Sequence, residues 1–219
     1  MAEYYPVFLD IEKFSCLVVG GGEVAGRKIS SLYQAGAEIR VVSPDFFPQT
    51  RELCETAEIC CVSRSYDKND LEGHNLVIAA TSDTHLNKKI SQQAISRNLL
   101  INVVDNKSLS NFIVPSSLAR GPLQVAICTD GASPAMSAEI RRNLEEKFGE
   151  EFGRYLHTVQ NLREKLKRKM PAEERREILL KAGDSEVYEL LKEGEIETAL
   201  SYLENLLPEE LKDFLQDTV

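Results

Sequence analysis

The amino-acid sequence predicts an α/β fold in which helices cover both faces of a parallel sheet. Three observations support this prediction. Strand-like runs alternate with helix-forming stretches over the first half of the 219-residue chain. Most of these runs are apolar throughout, as expected for strands buried on both faces. The alternation stops after Asp105, where two strand-like runs follow each other without a helix, so a second, smaller structure begins there.

Five strands are expected in the parallel sheet, each followed by turn-forming or helix-forming residues. They span residues 15–19, 38–42, 59–63, 76–80 and 100–104. Helices are predicted over 24–34, 48–56 and 84–96, the last with Asp83 as its N-cap.

The chain after Asp105 is predicted to form a hairpin and then helices. Residues 111–116 and 123–128 are strand-like, and they either pair antiparallel or exchange into a partner chain. Ser133 and Pro134 are typical of a helix start, and Gly149 ends that helix. Residues 150–217 favour helix, with breaks near Pro171, Gly183 and Pro208.

Composition and charge exclude several classes of protein. The net charge is −9, with −3 in residues 1–148 and −6 in 149–219, which argues against a general nucleic-acid binder. No apolar run of about 18 residues indicates a membrane span, and the first residues do not resemble a signal peptide. Five cysteines without CxxC spacing are interpreted as reduced core residues, so we expect a cytoplasmic protein.

A glycine motif follows the first predicted strand. Gly20, Gly22 and Ala25 fit the GxGxxG/A pattern at a strand-to-helix junction, which is typical of dinucleotide binding in Rossmann-type folds. The first glycine makes the turn, the second admits a pyrophosphate, and the small third residue lets the helix pack closely on the strand. The alternative is a tight glycine turn without a ligand.

The ends of two further strands carry candidate cofactor contacts. Ser43, Pro44 and Asp45 follow the second strand, where an acid commonly binds the ribose hydroxyls of NAD. Asp45 comes two residues late, and Ser43 offers a hydroxyl instead. No arginine follows directly to bind a 2′-phosphate, so we favour NAD over NADP. The small residues Ala80 and Thr81 would let a cofactor lie across the strand ends, although tight packing explains them equally well.

Asp105 is the candidate catalytic residue. It lies at the carboxyl end of a buried strand, the edge where open α/β sheets bind ligands, and a carboxylate there can act as a general base. A turn or cap role is the alternative. The three histidines are neither paired at i, i+4 nor close in sequence to a cysteine, so no metal site is expected.

With these motifs in place, the chain resembles the precorrin-2 dehydrogenase and sirohydrochlorin ferrochelatase family, which includes the N-terminal half of siroheme synthases. The resemblance covers residues 4–150 and depends on an ordered series of short motifs. They are residues 5–9, 18–28, 79–81, Asn87, 102–105, 112–116 and 131–134.

The resemblance implies three domains: an NAD-binding Rossmann domain (1–113), a strand-swapped dimerisation domain (114–149) and a helical domain (150–219). It implies a homodimer, Glu23 and Val24 at the cofactor pyrophosphate, Pro44 and Asp45 near the adenosine ribose, and Asp105 as the catalytic aspartate. Thr129 falls where some relatives carry a modified serine; threonine keeps a hydroxyl there, and we claim no modification.

The implied reaction is NAD-dependent dehydrogenation of precorrin-2 to sirohydrochlorin. Whether the chain also inserts Fe²⁺ into sirohydrochlorin stays open. The substrate carries eight carboxylates, so a local basic patch is needed, with Lys107, Arg120, Arg141 and Arg142 as candidates. The alternatives are a non-catalytic NAD-sensing module and a dehydrogenase for another substrate.

Overall fold

The structure is a computed structural model that describes residues 4–216, with side chains described as far as residue 212. Residues 1–3 and 217–219, at the ends of the predicted first and third domains, lie outside the described residues. The chain separates into two compact units that divide between Val114 and Pro115. The further division near residue 149 stays a prediction.

The first unit is built on a five-stranded sheet in which all neighbouring strands are parallel, in the order β3-β2-β1-β4-β5. This confirms the predicted parallel sheet. Val19 at the end of β1 lies beside Val42 of β2 and Ala79 of β4, so the carboxyl ends of these strands meet at one edge. The strands are β1 Ser15–Val19, β2 Glu38–Ser43, β3 Cys60–Ser63, β4 Leu76–Ala79 and β5 Leu100–Val103.

Helices cover both faces of this sheet, as predicted. Three helices follow strands: α1 Glu23–Gln34, α2 Pro48–Thr56 and α3 Thr84–Ile95. One apolar core joins β1 and β2 to Ile29 of α1 and Cys54 of α2. The other joins β1, β4 and β5 to Ile90 and Ala94 of α3. The predicted N-cap is confirmed, because the Asp83 carboxylate accepts hydrogen bonds from the first amides of α3.

An ion pair between a buried aspartate and an exposed arginine stabilises the connection between β3 and β4, which contains a short 3-10 helix, Lys68–Leu71. The side chain of Asp70 is only 4% exposed and binds both terminal nitrogens of Arg64, at 2.8 and 2.5 Å. The backbone N–H of Asp67 donates to the same carboxylate at 2.8 Å. The Arg64 guanidinium holds the pKa of Asp70 below its ordinary value, although burial opposes this shift.

We predict that Asp70→Asn lowers the free energy of unfolding at pH 7 by about 1 kcal/mol, since it removes the charged partner of Arg64 while solvent still hydrates the exposed guanidinium. Because the folded pKa of Asp70 lies below the unfolded value, its contribution is fully present above about pH 4. The contribution is lost as the pH falls through the folded pKa. Urea unfolding of both proteins at pH 7 and pH 3 measures this. If Asp70→Asn lowered the free energy of unfolding by the same amount at pH 7 and at pH 3, the proposed role of the ion pair would be wrong.

The predicted strand at 111–116 is wrong, because the observed strand β6, Ser116–Arg120, begins where the predicted one ends. Asn111 instead caps the free edge of β5 with its side chain. Its amide oxygen accepts from the backbone of Ile101 at 2.8 Å, and its amide nitrogen donates to the carbonyl of Leu99 at 2.8 Å. The side chain of Asn111 therefore takes the place of a neighbouring strand at the edge of β5. The apolar residues that follow Asn111 still give the sequence a strand-like pattern.

The second unit begins with an antiparallel hairpin of β6 and β7, Leu123–Ile127. Antiparallel pairing was one of the two arrangements predicted from the sequence. The turn needs Gly121, whose φ is +53°. The hairpin packs on the following helices through its backbone. A Cβ added to Gly153 would lie 2.9 Å from the carbonyl carbon of Arg120.

As far as residue 216, six helices complete the second unit, beginning with α4, Pro134–Lys147. Ser133 caps α4 as predicted, and Pro134 is its first residue. Breaks occur near Pro171, Gly183 and Pro208 as expected, and a further break at Gly194 (φ +80°), which ends a helix in the left-handed conformation, was missed. The helices are α4 Pro134–Lys147, α5 Glu150–Lys169, α6 Ala172–Lys181, α7 Ser185–Lys192, α8 Ile196–Asn205 and α9 Glu209–Gln216.

Helices α5 to α8 share an apolar core centred on Tyr155, Leu162, Leu166 and Leu203. The hydroxyl of Tyr155 donates to the carbonyl of Ala182 at 2.9 Å inside this core. Among residues 4–216, no helix is both long enough and apolar enough to cross a membrane.

All five cysteines are free, but only Cys16 and Cys54 lie in the core. The prediction of core residues is wrong for Cys60, Cys61 and Cys128, which are exposed. Cys60 and Cys61 lie on the edge strand β3, and Cys128 follows a strand of the two-stranded hairpin. Among the described residues, neither strand has a neighbouring strand on both sides.

Candidate active site at the sheet edge

The predicted site residues of the first unit gather at the carboxyl edge of the parallel sheet. The chain leaves β1 toward one side of the sheet and β4 continues on the other side, so the strand order reverses between β1 and β4. Open α/β sheets bind their ligands in the crevice at such a reversal. The loops that follow β1, β2, β4 and β5 all begin at this edge.

Gly20 is required by the packing of two of these loops. Its φ is +124°, and a Cβ at this position would lie 2.3 Å from the carbonyl oxygen of Ala80. A side chain would therefore push apart the loops that follow β1 and β4. The predicted turn-forming role of the first glycine agrees with this geometry.

Gly22 has a different character, because nothing in the described protein requires a glycine there. Its φ of −79° is ordinary, and a Cβ would meet no atom within 4 Å. The space beside Gly22 is thus free for a ligand to approach the backbone. Gly22 is also the N-cap of α1 and forms no side-chain cap, so the first amides of α1 have no side-chain acceptor from it. The geometry fits a pyrophosphate held by the backbone of residues 22–25.

The first turn of α1 positions Glu23, Val24 and Ala25. The carboxylate of Glu23 binds Arg27 at 2.6 Å on the exposed helix surface, and Val24 is also exposed. Ala25 is fully buried, as the close helix–strand packing requires. Sequence reasoning missed the adjacent Gly26, whose added Cβ would lie 2.8 Å from the hydroxyl of Thr50 in α2.

The loop after β2 contains Ser43, Pro44 and Asp45. The hydroxyl of Ser43 is largely buried and donates to the backbone oxygen of Asp45 at 2.6 Å, so it orders the loop. Pro44 and Asp45 are exposed. Gly21, to which sequence reasoning gave no role, lets this loop approach, since its added Cβ would lie 2.2 Å from the Asp45 oxygen. The run of three glycines was the available signal.

The loop after β4 is held by a buried asparagine. Asn87 of α3 accepts from the Thr81 hydroxyl at 2.7 Å and donates to the Thr81 carbonyl at 2.9 Å. The Thr81 hydroxyl also accepts from the backbone of Asp83 at 3.2 Å. Thr81 and Ala80 stay half-buried at the sheet edge. The loop therefore has a fixed conformation in which Ala80 lies against Gly20.

Asp105 is exposed directly after β5 and has a left-handed backbone, with φ of +60°. Aspartate and asparagine tolerate this conformation better than most residues, and strained residues cluster at functional sites. The half-buried Lys28 of α1, which sequence reasoning missed, interacts with its charge. Burial lowers the pKa of Lys28, and the carboxylate of Asp105 opposes that shift.

The four cations proposed for the substrate carboxylates already have contacts within the chain. Arg120 donates to the carbonyl of Phe148 at 3.1 Å and pairs with Glu150 at 3.2 Å. Lys107 lies over a tyrosine ring, with 5.3 Å between its ammonium and the ring centroid. Arg141 pairs with Glu145 and Arg142 with Glu139 on α4.

The described residues contain no group of three histidine, cysteine, aspartate or glutamate side chains that could hold a metal ion. His74 lies beside Ser15, with 2.9 Å between the hydroxyl and Nδ1, and His85 is exposed in the first turn of α3.

Comparison with known proteins identifies the family. A model described as "Putative NAD(P)-binding" matches residues 7–116, half of the chain, and one described as "Sirohaem biosynthesis protein central" matches residues 120–147. The chain belongs to the putative NAD(P)-binding family that the first model describes, and its central segment is similar to the sirohaem biosynthesis proteins. This confirms the resemblance, and the first unit is an NAD(P)-binding domain.

Siroheme synthases are similar in sequence to most of this chain. The protein of Thioalkalivibrio sulfidiphilus is 37% identical over 206 residues, which are 94% of this chain and 42% of the relative. That of Zymomonas mobilis is 39% identical over 170 residues, 78% of this chain and 36% of the relative. The chain thus spans less than half the length of these curated relatives.

A solved structure matches over its full length. It is "SirC, precorrin-2 dehydrogenase", with a TM-score of 0.77 and 28% sequence identity. The match covers 92% of this chain and 100% of that chain. The predicted order of a Rossmann-type sheet, a small antiparallel sheet and C-terminal helices is confirmed.

Proposed function

We propose that the protein dehydrogenates precorrin-2 to sirohydrochlorin with NAD, and that Asp105 is the base. The observation that carries the proposal is the place of Asp105 at the same sheet edge as the open backbone of Gly22. The family and its precorrin-2 dehydrogenase member support the substrate. The substrate loses one hydride and one proton in this reaction.

The chain would hold the dinucleotide by its backbone. The amides of residues 22–25 bind the pyrophosphate, with Glu23 and Val24 contributing N–H groups rather than side chains. Pro44 and Asp45 lie near the adenosine ribose, Ser43 keeps that loop in place, and Gly20, Ala80 and Thr81 form the floor. When bound, the nicotinamide supplies a hydride acceptor.

Asp105 would accept the proton that leaves the macrocycle. An exposed carboxylate at the sheet edge can reach a substrate that covers the strand ends. The left-handed backbone fixes the direction in which the carboxylate leaves the strand.

The preference for NAD over NADP rests on the β2 loop. A 2′-phosphate requires a nearby cation, whereas the exposed side chain after β2 is the carboxylate of Asp45. We expect turnover with NAD to exceed turnover with NADP at equal concentrations. Replacing Asp45 with asparagine would reduce this preference.

Iron insertion is a second activity that the same carboxylate would serve. Fe²⁺ enters as pyrrole N–H protons leave, so both steps abstract protons from one bound ring system. Fe²⁺ is a transient substrate here rather than a resident metal. Metal insertion is tested by incubating the purified chain with sirohydrochlorin and Co²⁺ or Fe²⁺ and recording the spectrum.

We also propose that the protein is a homodimer joined through residues 114–149, with exchanged strands. Helix α4 supports this proposal, because Ser137 is its only buried residue within the described chain. The apolar side chains of Met136 and Ile140, one turn apart, are 54% and 37% exposed. Each strand of the hairpin also has one edge without a strand partner among the described residues.

We predict that the double variant M136D/I140D is monomeric, since two charges would be buried in the apolar centre of the interface. Size-exclusion chromatography with light scattering at micromolar concentration measures the mass. Ile95→Asp, at an equally exposed apolar residue of α3, is the control and keeps the dimer. A wild-type monomer, or a dimer that survives both aspartates, would overturn the proposed interface.

The second unit would contain two domains. The hairpin with α4 forms the dimerisation domain and α5 to α9 the helical domain, as the family resemblance implies. The five free cysteines favour a reducing compartment, so we place the protein in the cytoplasm.

The activity is tested by adding precorrin-2 and NAD to the purified chain. Formation of NADH together with the sirohydrochlorin spectrum is the expected result. NAD binding without turnover of any tetrapyrrole would instead favour a sensing module, and turnover of a small metabolite alone would favour another dehydrogenase.

A further inference from the structure

The charge of the helical region is sharply divided along the chain. Residues 150–181, which contain α5 and α6, hold nine basic and six acidic side chains. Residues 182–219 hold two basic and eleven acidic ones, a net charge of −9 that equals the charge of the whole protein. The basic side chains of α5 and α6 are therefore a local exception in an acidic region.

A groove of about 660 Å³ between α5 and α6 collects four of these cations. Arg163 and Lys167 lie one turn apart on α5, and Arg175 and Arg176 lie on the facing side of α6. Glu164 is the single acid among the residues that line the groove. A volume of this size lies within the range of about 300–1,000 Å³ that is typical of small-molecule sites.

None of these four cations has a hydrogen bond or ion pair to another described residue, although α6 itself carries three glutamates. On α4 and α7, by comparison, Arg141, Arg142 and Lys192 each pair with a carboxylate on their own helix. Four unpaired like charges in one groove repel one another, and a polyanionic ligand would remove that repulsion.

The groove also has an apolar wall on α6. Leu180 is 65% exposed, and Leu179 is half-buried beside it. No residue of α6 within the described chain is fully buried, so this helix is incompletely covered. An apolar wall beside guanidinium groups favours a ligand with an apolar body and carboxylates at its rim, because arginine binds carboxylates in bidentate fashion.

The surroundings favour a compact ligand over an extended one. A long polyanion such as a nucleic acid would extend beyond the groove, and most of the remaining helical region is acidic, since residues 182–219 carry a net charge of −9. A small polycarboxylate would neutralise the four cations without reaching that segment.

We propose that the α5–α6 groove binds a compact polycarboxylate with an apolar body, and that in the cell this ligand is the tetrapyrrole. The identity of the ligand rests on the proposed function, whereas its chemical class rests on the groove. The groove lies within the second unit, whereas Asp105 lies in the first, and the proposal makes the groove a tetrapyrrole site in addition to the sheet edge. It gives a protein of net charge −9 a place to retain an eightfold carboxylate.

The test is an equilibrium titration of the full chain with uroporphyrin, a macrocycle with eight carboxylates. The groove variant R163Q/K167Q/R175Q/R176Q should bind at least about tenfold more weakly than wild type, with one fewer porphyrin per chain at saturation. Leu180→Glu should weaken the same binding through the apolar wall. The control K68Q/K89Q/K192Q/K212Q removes the same charge elsewhere and should bind as wild type does.

Equal binding by the groove variant and wild type would overturn the site, and so would equal weakening by the groove and control variants. Turnover of precorrin-2 separates this proposal from the function. If wild type oxidises precorrin-2 and the groove variant still binds uroporphyrin normally, the site is wrong and the function stands. If groove-dependent binding occurs without turnover, the polycarboxylate site stands, whereas the function and the tetrapyrrole as its ligand fall.

Discussion

Replacing Asp105 with asparagine is expected to lower kcat for precorrin-2 oxidation by about 10²- to 10⁴-fold, because the amide cannot accept the proton that leaves the macrocycle. Asparagine is the informative substitution, since it also tolerates the left-handed backbone at this position. The melting temperature and the Kd for NAD should therefore stay close to those of wild type. Steady-state kinetics and an NAD titration of the two proteins measure these quantities.

Asp45→Asn is the matched control for this experiment. It removes a carboxylate from another loop of the same sheet edge, where the proposed contact is with the cofactor ribose. It should raise the Kd for NAD and leave kcat at saturating NAD nearly unchanged. An Asp105→Asn protein that oxidises precorrin-2 at the wild-type rate would remove Asp105 from the mechanism.

The second large effect is expected from valine at Gly22. The added side chain would occupy the open space beside the first amides of α1, so we expect the Kd for NAD to rise at least about tenfold. Because no protein atom lies within 4 Å of the added Cβ, the free energy of unfolding should change little. Calorimetric titration with NAD and urea unfolding measure the two quantities.

Gly20→Val is expected to act on the stability of the chain, unlike Gly22→Val. Its Cβ would meet the carbonyl of Ala80 at 2.3 Å in a backbone conformation that side chains disfavour, so the chain should lose about 3 kcal/mol of stability or fail to fold. If Gly22→Val unfolds the protein as Gly20→Val does, the space beside Gly22 is structural and the dinucleotide site is misplaced.

Much of the first unit could be predicted because its local signals agree with its tertiary structure. Continuous apolar strands such as Leu76–Ala79 occur only where both faces are buried, and the glycine run marks the first turn. The position of Asp105 followed directly, since the end of a parallel strand defines the binding edge. The edge and its aspartate therefore needed no knowledge of side-chain packing.

The errors arose where a side chain or a contact across space decides the structure. Asn111 replaces a strand partner with its amide group, so an apolar run was read as a strand. The charge of Lys28 on α1 interacts with that of Asp105, far away in sequence, and no local pattern marks such a pair. The four cations named for the substrate carboxylates stay a prediction, and the sequence did not reveal that Arg141 and Arg142 pair with acids on their own helix.

The most direct test of the central claim is the stoichiometry of precorrin-2 oxidation by the purified chain. With excess NAD, the yield of NADH at 340 nm and the yield of sirohydrochlorin from its visible spectrum are measured in the same sample. We predict one NADH per sirohydrochlorin in wild type and, over the same time, at most about one hundredth of either product with Asp105→Asn. Sirohydrochlorin formed without NADH, or no product from a wild-type chain that binds NAD, would contradict hydride transfer at this sheet edge.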